Sequence, residues 1–139
     1  MINSPVENIY TVKSAAIVIV AGSMFQLPVV IPKAGTRVRW SFRVKDYDCQ
    51  FGIASALNQF SNDYILKKQL ITPNVDAKGS ILVNRPGTIY LVWDNSYSWM
   101  RPKTVVYSLT LEVPQNLIED KQKGSVYDLK YFVTILVHL

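Results

Sequence analysis

In short runs between turn residues, apolar side chains recur at every second position along the chain. A period of two sends alternate side chains to opposite faces of an extended strand, whereas a helix repeats its apolar positions at about 3.6 residues. From Thr36 to Lys45, Val38, Trp40, Phe42 and Val44 fall on one face and Arg37, Arg39, Ser41, Arg43 and Lys45 on the other. That alternation predicts a strand with one core face and one wet face. Lys103 to Val113 repeats it, with Val105, Tyr107, Leu109, Leu111 and Val113 inward and Ser108, Thr110 and Glu112 outward. Tyr47 to Ile53 sets Tyr47, Cys49, Phe51 and Ile53 against Asp48, Gln50 and Gly52, which makes Cys49 a small buried hydrophobe. Thr88 to Trp93 is apolar on both faces and predicts a central strand covered on both sides.

Turn signals punctuate these runs at Gly22-Ser23, Pro32 to Gly35, Asp46, Ser61-Asn62, Pro73-Asn74, Lys78-Gly79, Arg85-Pro86-Gly87 and Asp94 to Ser98. Glycine supplies positive φ and proline presets its own, so Arg85-Pro86-Gly87 is a turn with a mechanism. No long stretch holds a helical period, and the pattern predicts an all-β, antiparallel β-sandwich of about seven or eight strands. The expected organisation is a lead-in over 1–14, the sandwich over 15–113, a polar linker or loop over 114–124, and a strand-like segment over 125–139 whose role is open.

Composition narrows the function classes. At 139 residues and 49% hydrophobic content, one domain with one ordinary core is expected. The net charge of +5 comes from basic residues scattered through the chain, a bias toward acidic surfaces with no nucleic-acid tail. A lone cysteine excludes an intrachain disulfide and favours a reducing compartment. The first residues carry Pro5 and Glu7 and lack the pattern of a signal peptide, and neither Ala15 to Ile31 nor Val126 to Val137 suits a transmembrane helix. The segment is expected to be an excerpt of a larger multidomain chain.

Catalysis needs convergent nucleophiles, bases or metal ligands, and the inventory is thin. His138 is the single histidine, zinc would need about four Cys or His ligands, and the glycines stand singly with no phosphate loop among them. Asp46 and Asp48 are spaced as a pair of calcium ligands would be, but a turn residue with a solvated neighbour is the simpler reading. No enzyme activity, cofactor or metal is expected. Two contact surfaces are. Arg37, Arg39, Arg43 and Lys45 present a row of cations that suits anionic lipid headgroups at about 1 kcal/mol per basic residue, or an acidic partner; the alternative is a face kept merely soluble. Trp93 to Trp99 is aromatic and turn-rich: Trp40 and Trp93 are assigned to the core, while Tyr97, Trp99 and Arg101 are candidate rim contacts for a peptide or a sugar.

The run PGTIYLVWDNSYSW over 86–99, followed by Arg101 to Leu109 with a lysine entering the last strand, resembles the C-terminal signature of GOLD (Golgi dynamics) domains. Leu27 to Ile53 is similar as well, with its proline and glycine turn, Trp-x-Phe strand, acidic turn and Phe-Gly-Ile strand, so that the resemblance covers most of 15–113. It implies a jelly-roll-related sandwich that contacts proteins or lipid membranes. Without the disulfide, coiled coil and membrane helix of the lumenal branch, the chain resembles the cytosolic one, found in CRAL-TRIO lipid-transfer proteins and Golgi and autophagy adaptors. The resemblance implies a cytoplasmic site, peripheral to Golgi or endosomal membranes, and carries no catalytic residues.

Overall fold

The computed structural model describes residues 8–56, 63–114 and 131–138. They form nine strands: β1 (Asn8–Ile19), β2 (Met24–Ile31), β3 (Thr36–Lys45), β4 (Cys49–Ala56), β5 (Asp63–Ile71), β6 (Asp76–Val83), β7 (Gly87–Asp94), β8 (Lys103–Val113) and β9 (Tyr131–His138). Two antiparallel sheets, ordered β1-β8-β3-β6-β9 and β2-β7-β4-β5, make the β-sandwich that the alternation predicts. The pairs β1/β8, β2/β7, β3/β6 and β4/β5 nest inside one another. The first eight strands are thus one long hairpin rolled over on itself, the jelly-roll arrangement.

Burial follows the sequence pattern closely on β3 and β8. Val38, Trp40, Phe42 and Val44 are buried while Arg39, Arg43 and Lys45 are exposed, and Val105, Tyr107, Leu109, Leu111 and Val113 are all buried. β7 lies between β2 and β4 and is buried on both faces, Val92 as completely as Leu91. An aromatic cluster ties the two sheets together: Trp93 of β7 meets Phe42 of β3 edge-on at 5.4 Å between centroids and Tyr107 of β8 nearly parallel at 5.2 Å. Such pairs add about 0.5–1.5 kcal/mol each beyond the area they bury. Cys49 is buried and free, as the alternation implies.

The covering of Val92 has a specific device. Val92 pairs with Gly52 on β4, and a Cβ at Gly52 would lie 2.9 Å from Leu66 O, 3.0 Å from Lys68 Cγ and 3.1 Å from Tyr64 Cε1. Lys68 therefore crosses directly over the glycine, from β5 toward β7, where its Nζ meets Asp94 Oδ2 at 2.5 Å. Any larger residue at 52 would lift that side chain off the sheet.

Three local expectations change. Tyr47 leaves the inward set: Asp46 has φ 67°, the chain turns there, and β4 begins at Cys49 with Tyr47 exposed. Lys78-Gly79 is the interior of β6, with Gly79 opposite Trp40 on one side and Ile135 on the other; pairing on both edges overrides the turn preference of glycine. β1 starts at Asn8, inside the expected lead-in, because β8 offers it partners down to Val113. Within the expected strand-like tail, Tyr131–His138 pairs with Val83–Asp76 and closes the edge of β6. The Ser61-Asn62 turn and most of the 114–124 stretch lie outside the described residues.

Candidate functional site

Four connections meet at one end of the sandwich and are bonded to one another. The β1–β2 turn joins the β7–β8 loop through Gly22 N to Asn95 O (3.2 Å) and Asn95 N to Ser23 O (2.9 Å). Gly22 has φ 81°, a conformation that glycine adopts without strain. The β3–β4 turn receives the same loop through Tyr97, whose hydroxyl donates to Asp48 Oδ1 at 2.6 Å and to Asp48 O at 3.1 Å. The β5–β6 turn is attached in its turn, with Asp46 N donating to Asn74 Oδ1 at 3.0 Å and Asn74 N to Val44 O at 2.7 Å.

Asp94 and Asn95 hold this end together from inside. Asp94 Oδ1 accepts Ser96 N at 2.7 Å, an Asx turn that bends the chain out of β7, while Oδ2 takes Lys68. Burial on its own would raise the Asp94 carboxyl, but the bonds from Lys68 and Ser96 outweigh it and hold the group below its ordinary value. Asn95 is 0% exposed, and its Nδ2 faces three backbone carbonyls, Ile19 O (3.1 Å), Val20 O (3.2 Å) and Arg101 O (2.8 Å). Three acceptors identify the nitrogen end of the amide and leave Oδ1 buried with no partner among the described residues. Ser98 closes the far side of the loop, with Arg101 N donating to Ser98 Oγ at 3.2 Å.

On this base the outer residues are arranged in order. Lys103 sits in the inward phase of β8 and is only 3% exposed, yet its Nζ reaches Tyr97 Oη at 3.2 Å, lies 4.7 Å from the Tyr97 ring centroid and comes within 3.8 Å of Asp48 Oδ1. Burial first, and then the Asp48 carboxylate that accepts its proton, push the Tyr97 hydroxyl above the usual phenol range. Arg101 stacks on Tyr47, with its guanidinium carbon 4.5 Å from the ring centroid, and donates to Tyr47 Oη at 2.8 Å. Beyond them Trp99 is 85% and Met100 70% exposed. A cleft of about 570 Å³ opens between Tyr47, Asp48, Tyr97, Trp99, Arg101 and Lys103.

The structure thus gathers Tyr97, Trp99 and Arg101 at one end, where sequence grouped them. It places Arg37, Arg39, Arg43 and Lys45 together on the outer face of the five-stranded sheet, where two of the four charges are paired. Arg39 makes an ion pair with Glu112, Arg43 with Asp76 (2.8 Å), and Arg37 donates to Ser80 Oγ at 3.1 Å. Lys45 alone of the four has no such partner among the described residues. Tyr47 and Lys103 are members of the site that sequence reasoning placed elsewhere; the signal for Lys103 is its even spacing with Val105 and Tyr107, which puts a cation in a core phase.

Burial pushes the Cys49 thiol up to about 11, so it is protonated and inert near neutral pH. Among the described residues no group of three His, Cys, Asp or Glu side chains is placed to hold a metal ion; Asp48 bonds to Tyr97 and lies beside Lys103. No helix among them is long and apolar enough to cross a membrane. The chain matches no model of a known protein family.

Proposed function

We propose that this domain is a non-catalytic interaction module of the GOLD type, serving protein–protein or lipid-membrane contacts at the cytoplasmic face of Golgi or endosomal membranes, as one part of a larger trafficking or lipid-transfer protein. The observation that carries the reading is the division of labour inside the DNSYSW loop. Its first two residues are buried and bonded into the base, whereas Trp99 and Met100 stand in solvent on a support fixed by Asn95 and Ser98. An exposed tryptophan costs solubility, and a supported one is what contact hot spots are built from. The ion pairs of Arg39 and Arg43 favour this end over the basic strand face as the contact surface. A sugar-binding role is less favoured because Arg101 and Lys103 each cover a face of the tyrosine rings that would stack on the ligand.

The test is photo-crosslinking in cells from a photoreactive residue at position 99, compared with one at position 85 at the opposite end. Adducts to protein or lipid from 99 well above those from 85 are expected. Equal labelling from both ends would remove the loop as the contact surface.

A further inference from the structure

The loop end has a layered composition, and its order matches the interface of a lipid bilayer. Outermost are Trp99 and Met100, with Val20 at 61% exposure on the β1–β2 turn that Asn95 bonds to the same loop. One level in come the half-exposed rings of Tyr47 and Tyr97, their hydroxyls bonded, with the Arg101 guanidinium stacked on Tyr47. The base is a continuous hydrogen-bonded floor. Aromatic rings with a polar edge prefer the headgroup level, long basic side chains reach phosphates while apolar neighbours enter the acyl boundary, and a convex apolar tip needs a yielding medium to surround it.

We propose that the end formed by Val20, Trp99 and Met100 is a wedge that inserts into the headgroup region of a bilayer containing anionic lipid, with Arg101 against the phosphates. This rests on the interaction-module reading and names the partner of that same loop. Charge complementarity is modest: Asp46 and Asp48 line the same cleft as Arg101, Asp48 already beside Lys103. Insertion therefore supplies most of the affinity, and anionic lipid several-fold more.

The molecule contains its own probe. Trp40 and Trp93 are buried, so Trp99 alone among the three tryptophans faces solvent. The full chain is titrated with vesicles of phosphatidylcholine, pure or with about three parts in ten phosphatidylserine, while tryptophan emission and co-sedimentation are followed; a second set contains phosphatidylcholine brominated along its acyl chains. Expected are a blue shift, quenching by the brominated lipid, and several-fold stronger binding to the anionic vesicles. Trp99→Ser with Met100→Ser should bind at least tenfold more weakly with an unchanged melting temperature, whereas Arg39→Glu with Arg43→Glu should change binding by less than twofold. Absence of the shift and of quenching overturns the wedge, as does undiminished sedimentation of the double serine variant. If vesicles are inert while position 99 crosslinks to protein, the wedge fails and the interaction module stands. If position 99 crosslinks to neither protein nor lipid, both fail.

Discussion

Two surfaces of this sandwich look equally able to bind when only residue types are considered, and they differ in how their side chains are engaged. On the outer face of the five-stranded sheet, Arg39 and Arg43 pair with Glu112 and Asp76 on neighbouring strands, and Arg37 donates to the Ser80 hydroxyl. At the loop end, Arg101 and Lys103 pack on tyrosine rings, and the residues left over are apolar and exposed. A row of like charges on one strand is thus a poor guide to a binding face until the strands beside it are known.

The sharpest way to break the comparison is to remove the support. Asn95→Ala strands three backbone carbonyls, one buried and two partly buried, and urea denaturation should show a loss of about 3 kcal/mol; a loss below about 1 kcal/mol would mean that the loop end does not depend on Asn95. Asp94→Asn comes next, at about 2 kcal/mol near neutral pH, since the Lys68 ammonium loses its carboxylate. Because the folded carboxyl lies below its ordinary value, its stabilisation is complete above about pH 4 and is lost as pH falls through the depressed folded value. Acid titration of stability should therefore be flatter in Asp94→Asn than in the parent.

Cys49 has the opposite sign. Its folded thiol titrates near 11, so stability falls as pH rises above the unfolded thiol value of about 8.5 toward 11, and Cys49→Ala should lose that alkaline decline. A thiol reagent at pH 8 should label the native chain only at its unfolding rate. Smallest of all, Trp99→Ser and Arg43→Ala should each shift stability by no more than about 0.5 kcal/mol, measured by thermal melts. For Trp99 a stability cost well beyond this would turn an exposed contact residue into a structural one.

The sandwich itself was legible because β3 and β8 alternate cleanly and β7 is apolar on both faces, which only a central strand tolerates. Illegible was everything decided by register. Arg39 and Glu112 meet diagonally across β3 and β8, where Arg37 is paired with Glu112 and Arg39 with Thr110, and nothing local to either strand announces that meeting. Lys78-Gly79 carries the composition of a turn but lies between two partner strands that supply its hydrogen bonds. Tyr97, Trp99 and Arg101 were visible as a loop cluster. That Tyr47 and Lys103 complete it follows from Asp46 adopting positive φ and from the phase of β8, which tertiary pairing settles.

The nested pairing of the first eight strands also governs how the chain reaches this state. β4 and β5 are close in sequence and can pair early, whereas Asn8 must wait for Val113, almost the whole described chain away. Closing such a loop is entropically slow, and folds dominated by distant pairs reach the native state in milliseconds to seconds. During synthesis at about 5–20 residues per second, β1 spends several seconds as an emerged strand without its partner. The outermost turn of the roll is therefore the step at which the nascent chain depends most on protection from other chains, and slowing translation after β1 should lower the yield of folded protein more than slowing it after β4.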